Sequence, residues 1–240
     1  MIIAEIWYNY YMSVYAISDL HLSFSSDKPM DIFGACWDNY WEKICDDWRA
    51  KVGDEDIVLI AGDISWAMTL ENALIDIAEI AKLPGRKVFI KGNHDYWWSS
   101  LSKIRKALPE DFYVIQNDAI KLGEVIIAGS RLWNIISQSA DDKKILEREK
   151  LRLRMSLKKA AELRCNNEKI LAMCHYPPFD ATFSDNDFTT IFEEYGVDSV
   201  VYGHLHGKDC RAVEYLNKNG ISYYLTSCDK VNNKLVCICK

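Results

Sequence analysis

The sequence predicts an α/β protein with parallel strands, and three observations carry the prediction. Short runs of β-branched and aliphatic residues recur without polar alternation, as expected of strands buried on both faces. Stretches with apolar residues at three- and four-residue steps separate the early runs, and such spacing makes amphipathic helices. Most runs end in polar clusters, and an open α/β sheet binds its ligands beyond the carboxyl ends of its strands.

Six runs read as core strands: Val14–Ser18, Ile57–Ala61, Val88–Lys91, Val125–Ala128, Ile170–Cys174 and Ser199–Tyr202. Between the early ones, Cys36–Lys51 is predicted helical because Trp37, Tyr40, Trp41, Ile44, Cys45 and Trp48 share one face. Thr69–Lys82 repeats the pattern and stops before Pro84-Gly85, and Leu101–Leu108 is a shorter helix closed by Pro109. Ala140–Arg164 reads as a long charged helix with a stripe of Leu146, Leu153, Leu157, Ala160 and Ala161. Ser139 and Asp142 stand at capping-box spacing before it. Its other face is read as solvated. Arg211–Tyr215, Ile221–Thr226 and Lys234–Cys239 look like short strands joined by turns, hence an antiparallel finish. No repeat or linker interrupts the chain, so residues 12–240 are expected to form one domain. Met12 directly precedes the first strand, and residues 1–11 read as an upstream extension.

The 240 residues, 49% hydrophobic and 27% charged, suffice for a substantial core. A net charge of -6 argues against a broad nucleic-acid surface, which needs excess Lys and Arg to displace counterions. Bound metal would offset part of that charge, so a local contact stays open. The eight cysteines contain no C-x-x-C pair, and free thiols in a reducing cytosol are expected. No apolar run reaches the ~18 residues of a membrane span, and the first residues lack the features of a signal peptide. A cytoplasmic protein is expected.

The chemistry is legible in the histidines. The chain has five, His21, His94, His175, His204 and His206, and every one sits at or just after a predicted strand end. A lone histidine carries little meaning, but scattered structural histidines have no reason to share this placement. In Asp19-Leu20-His21, residues two apart on extended backbone face the same way and can reach one cation. Gly62-Asp63 follows the second strand, where glycine permits a sharp exit. The Asp63 carboxylate has two oxygens and could bridge two ions. Asn93 offers a neutral oxygen, and Asp95 could hold the His94 ring. Donors of nitrogen and oxygen without thiolate suit Mn, Fe, Zn, Ni or Co and disfavour a structural zinc site.

DLH at 19–21, GD at 62–63, GNHD at 92–95, His175 and GHLH at 203–206 resemble the five ordered motifs of the calcineurin-like metallophosphoesterase superfamily. Each motif alone is weak; five in order, using every histidine, are specific. The resemblance implies a four-layer αββα sandwich with mixed sheets and a dinuclear metal site at the strand ends. It implies one ion on Asp19, His21, Asp63 and His206, and a second on Asp63, Asn93, His175 and His204. It places His94 beside the leaving oxygen as general acid, positioned by Asp95. The implied reaction is hydrolysis of a phosphate mono- or diester, on a small-molecule or nucleotide substrate, by a hydroxide bridging two divalent ions.

The sequence departs from the protein Ser/Thr phosphatase branch. It reads Ile64-Ser65-Trp66-Ala67 after GD, where that branch has an Asp-Arg pair, and it has Asp95 where that branch has Glu. Trp66, Trp97, Trp98, Tyr176 and Phe179 crowd the motifs, either as core or as a stacking rim for a planar group. Arg131 could approach a phosphate, although a surface arginine is the plainer reading. Two rivals remain: a DNA or RNA nuclease, which needs a basic track, and a non-catalytic scaffold, which would have lost ligands. Oligomeric state is not readable from these residues.

Overall fold

The computed structural model describes residues 12–136, 139–207, 210 and 212–240. The expected extension at 1–11 lies outside them. The chain runs through β1 (Val14–Ile17), α1 (Tyr40–Lys51), β2 (Ile57–Ile60), α2 (Leu70–Ala81), β3 (Arg86–Ile90), α3 (Leu101–Ala107) and β4 (Phe112–Ile115). It continues with β5 (Ala119–Leu122), β6 (Val125–Gly129), α4 (Ala140–Leu163), β7 (Lys169–Met173), α5 (Asp187–Glu194) and β8 (Ser199–Tyr202). It ends with β9 (Tyr215–Lys218), β10 (Ile221–Leu225) and β11 (Val236–Cys239).

The strands form a five-stranded sheet, β11-β1-β2-β3-β4, and a six-stranded sheet, β5-β6-β7-β8-β10-β9. β1 to β4 are parallel, as are β6, β7, β8 and β10, while β11, β5 and β9 add antiparallel edges. Alternate residues of the central strands enter different apolar layers. Val14, Ala16, Ile57, Leu59 and Val88 meet Ile127, Leu171, Met173 and Val201 between the sheets. Tyr15, Ile17, Val58, Ile60 and Phe89 face the first outer layer with Ile44 and Trp48 of α1, Ile77 of α2 and Ile104 of α3. Ile126, Ile170, Ala172 and Val200 face Leu153 and Leu157 of α4 and Phe188 and Phe192 of α5. The result is the expected αββα sandwich, and its two buried sheet faces explain why the strands lack polar alternation.

Several boundaries differ from the sequence reading for physical reasons. The expected helix from Cys36 is broken: a 3-10 turn at Ala35–Trp37 precedes α1, and Asn39 between them is left-handed (φ 48°). Three elements were missed. β4 and β5 are four residues each, and β5 is only half-buried at a sheet edge, so neither carries a periodic signal. α5 contains two threonines and is set by burial and by a capping box in which Asn186 and Thr189 exchange bonds. In α4, Ala161 is exposed, whereas Glu149 and Ser156 take buried places on the core face. The Ser139 hydroxyl accepts the Asp142 amide at 3.1 Å. Of the strand expected at Arg211–Tyr215 only Tyr215 lies in a strand among the described residues, since β9 runs on to Lys218. The tail is only partly antiparallel, with β10 parallel to β8 and antiparallel to β9, and β11 antiparallel to β1. All eight cysteines are free thiols. Among the described residues no helix is long and apolar enough to cross a membrane.

Leu59 is fully buried where the two sheets meet. Leu59→Ala is expected to lower the unfolding free energy by about 2–5 kcal/mol, read by urea denaturation. A loss below about 1 kcal/mol would mean that the inter-sheet layer is not close-packed.

Candidate metal centre

Parallel register brings the carboxyl ends of β1, β2 and β3 side by side, with those of β7 and β8 facing them from the other sheet. Backbone bonds stitch the following loops together: Asp19 N to Gly62 O (3.0 Å), His21 N to Asp63 O (3.0 Å) and Gly203 N to His175 O (3.1 Å). Ser18 N also donates to Thr226 O (2.8 Å), tying the two sheets at the site. Asp19, His21, Asp63 and His204 have left-handed backbone, with φ of 60°, 45°, 52° and 70°. Residues other than glycine reach that region at a cost of roughly 1–3 kcal/mol each, and such strain collects at functional sites. Gly62, at φ 91°, makes the sharp exit from β2. Gly92 is needed for contact: a Cβ there would lie 2.0 Å from Asp63 Oδ1.

All seven expected ligands converge. His206 Nε2 lies 3.1 Å from Asp19 Oδ1, and His175 Nε2 lies 3.4 Å from Asp63 Oδ2. His21 Nε2 lies 3.8 Å from the same Asp63 oxygen, so this carboxylate stands between two imidazoles. Asn93 Oδ1 faces His175 Nε2 at 2.6 Å and His204 Nδ1 at 2.9 Å. Two overlapping groups, Asp19 with His21 and His206, and Asp19 with Asp63 and His175, each have ligand atoms within 4.8 Å of one another.

The electrostatics are those of a cation site. Burial opposes ionisation of Asp19, but the His206, His175 and His21 imidazoles hold its carboxyl below the usual range. Asp63 is likewise held low against burial, chiefly by His175. Burial disfavours charge on His206 too, yet Asp19 and Asp229 at its two nitrogens push its pKa up to about 10. Burial instead lowers His21 and His204 to about 4, which favours the neutral imidazole that a metal binds. Divalent ions fit here on two observations. The two buried carboxylates keep a proton on imidazole that a metal would displace, and His21 Nδ1 is buried with no hydrogen-bond partner. Seven nitrogen and oxygen donors without thiolate match borderline divalent metals.

Asp95 corrects an expectation. Its carboxylate does not touch the His94 ring. It accepts from the amides of Gly92 (2.7 Å), Ile64 (2.9 Å), Asp63 (3.0 Å) and Ser65 (3.3 Å), and from Trp97 Nε1 (3.0 Å). Burial and the Asp63 charge raise its pKa to about 6, while the amide donors pull the other way. Asp95 therefore locks the loop after β2 to the loop after β3. His94 is steadied otherwise: its amide donates to Asp63 Oδ1 (2.8 Å), and its Nδ1 lies 3.3 Å from Tyr96 Oη. The half-buried ring sits 4.5 Å from Trp66, centroid to centroid.

The aromatic rim divides. Trp66 stacks on His21 (4.8 Å, 20°), and Tyr176 lies 4.1 Å from His204, so both border the ligands. Trp97 is core, its indole spent on Asp95, and Phe179 packs among Phe183, Tyr202 and Tyr223. Trp98 is half-buried and donates to Gln116 Oε1. Arg131 is half-buried rather than on the surface, with its guanidinium over Trp133. Sequence reasoning missed Asp229, which orients His206 (Nδ1 to Oδ1, 2.9 Å), a role typical of carboxylates behind metal-bound imidazole. It follows β10, so the strand-end rule reaches it, but a search centred on histidine passes it over. Trp37, 6.0 Å from His21 and 5.9 Å from His206, was read only as a helix residue.

This fold with this cluster defines a metal-dependent phosphoesterase class. The calcineurin-like phosphoesterase family model matches residues 12–208, and the chain belongs to that family, whose members act on phosphate esters with divalent metal ions. Among curated proteins none matches. Solved structures share the fold at low identity. A Thermus thermophilus protein, TT1561, has TM-score 0.61 at 10% identity, covering 95% of this chain and 98% of its own. Phosphopantetheinyl hydrolase (PptH) from Mycobacterium tuberculosis has TM-score 0.54 at 11% identity, covering 94% and 95%. AQ665 from Aquifex aeolicus, a protein of unknown function, has TM-score 0.50 at 16% identity, covering 95% and 96%.

An Asp95→Asn side chain would turn its NH2 toward backbone donors. The substitution is expected to cost at least about 2 kcal/mol of stability and to lower bound metal, since both loops loosen. Unchanged urea midpoint and metal content would remove the anchoring role.

Proposed function

We propose that the chain hydrolyses mono- or diesters of phosphate, on small-molecule or nucleotide substrates, using two divalent ions. One ion is held by Asp19, His21, Asp63 and His206, the other by Asp63, Asn93, His175 and His204. The observation that carries this reading is the position of Asp63, with one carboxylate oxygen 3.8 Å from His21 and 3.4 Å from His175. Ions bound there supply Lewis acidity toward the phosphoryl oxygens and ionise water near neutral pH.

The chain's own groups do the rest. Asp229 fixes the His206 ring, and Asp95 fixes the loops that carry Asp63 and Asn93. His94, partly open to solvent beside Trp66, is the proton donor to the departing oxygen. Burial lowers its pKa, and the negative charge of a bound phosphate would restore the proton. Trp66 and Tyr176 wall the site with flat apolar surface while the ligands face the reacting phosphorus.

His94→Ala is expected to lower kcat about 10²- to 10⁴-fold with metal content preserved. Loss of the metal in that variant would make His94 a ligand. Asp63→Asn should empty both positions by elemental analysis; full occupancy would refute the bridge. Stripped protein reloaded with Mn, Fe, Zn, Ni or Co and assayed on bis-p-nitrophenyl and p-nitrophenyl phosphate identifies the metal and ranks diester against monoester. Absence of turnover with every metal would refute the hydrolase reading.

A further inference from the structure

A second polar cavity of about 310 Å³ opens beside the metal centre, where β3, β4 and β6 end against α4. Its lining carries Lys91, Arg131, Arg148 and Arg152 against a single carboxylate, Glu149. Four cations and one anion leave a net charge of +3, in a chain whose total is -6. Glu149 is buried and already engaged by Ser130 Oγ (2.6 Å) and Arg152 (2.7 Å), with Arg148 3.7 Å away. Among the described residues neither Lys91 nor Arg131 has a carboxylate within 4.0 Å. Ser99 Oγ in the same wall is buried without a hydrogen-bond partner. Like charges gathered in a cleft repel unless an anion joins them, and a phosphate group offers oxygens to several such donors at once.

The cavity and the metal centre share their loops. Lys91 stands two residues before Asn93, a step of ~7 Å on extended chain. The Arg131 carbonyl accepts the amides of His175 (3.2 Å) and Tyr176 (3.0 Å). The cavity therefore borders the loops that carry Asn93 and His175. We propose that this basic cavity binds a second phosphate group of the substrate, so that the preferred substrates are phosphoesters carrying a further phosphate. The assignment rests on the phosphoesterase reading and narrows it.

The test compares two chromogenic diesters that differ by one group: thymidine 5′-(p-nitrophenyl phosphate) with and without a 3′-phosphate. The metal-loaded protein is expected to prefer the 3′-phosphorylated ester by about tenfold or more in kcat/KM, the value of charge-assisted bonds to one group. Arg148→Gln and Arg152→Gln should each erode that ratio, and the pair should bring it to about one. Circular dichroism and thermal unfolding establish that the variants are folded. Equal rates on the two esters, or a preference that survives the double substitution, overturn the proposal while the hydrolase reading stands. Faster turnover of the ester lacking the 3′-phosphate on adding inorganic phosphate would make free phosphate the occupant and also overturn it. If neither ester is cleaved with any metal, the hydrolase reading fails by itself. The cavity is then judged by calorimetric titration with thymidine 3′,5′-bisphosphate, where a Kd unchanged by the double substitution overturns the site and a tenfold weakening supports it.

Discussion

The site depends on one buried carboxylate outside the candidate ligand set. Asp95 gathers four backbone amides and an indole N–H, and these donors come from the two loops that deliver Asp63 and Asn93. Loops at strand ends are otherwise free to splay. A charge-assisted network in a dry environment makes their separation costly. The close approach then excludes a side chain at position 92 and helps hold Asp63 in its left-handed conformation.

That rigidity permits an arrangement that would not otherwise persist. Two buried carboxylates and four buried or half-buried imidazoles are brought within a few ångströms, at the expense of hydration. Protein groups compensate only in part: Asp19 and Asp63 favour a proton on His206 and His175, whereas burial disfavours one on His21 and His204. The cluster is thus built for positive charge beyond what its own side chains supply. The β-sandwich beneath it, buried on both faces of each sheet, gives the stable platform that such a cluster needs.

The second basic cavity extends the same logic of position. It lies at the ends of β3, β4 and β6, beside the strands that carry the ligands, and α4 closes it with Arg148, Glu149 and Arg152. Read as sequence, α4 is a charged helix with a solvated face. Folded, part of that charge faces inward over the strand ends, with Glu149 nearly inaccessible.

By itself the sequence determined the class of fold, most of the core strands and all seven candidate ligands. These are local facts: unbroken apolar runs require burial on both faces, and polar clusters after them require a common edge. It also left readable the free cysteines and the helix stripes. Only the tertiary structure decided what Asp95 does, because three of its five partners are backbone amides 30 to 32 residues away in sequence, which no residue type announces. Asp229 and Trp37 joined the site through side-chain contacts with His206 that the fold alone makes. Trp97 and Phe179 left the rim for the core because adjacency to a motif does not fix which side of a strand end a ring will face. The short elements β4, β5 and α5 escaped because four to eight residues hold too few periods to show a pattern, and packing against neighbours settles their form. The expected helix at Cys36 failed at Asn39, where a left-handed residue breaks a periodicity that continues on paper.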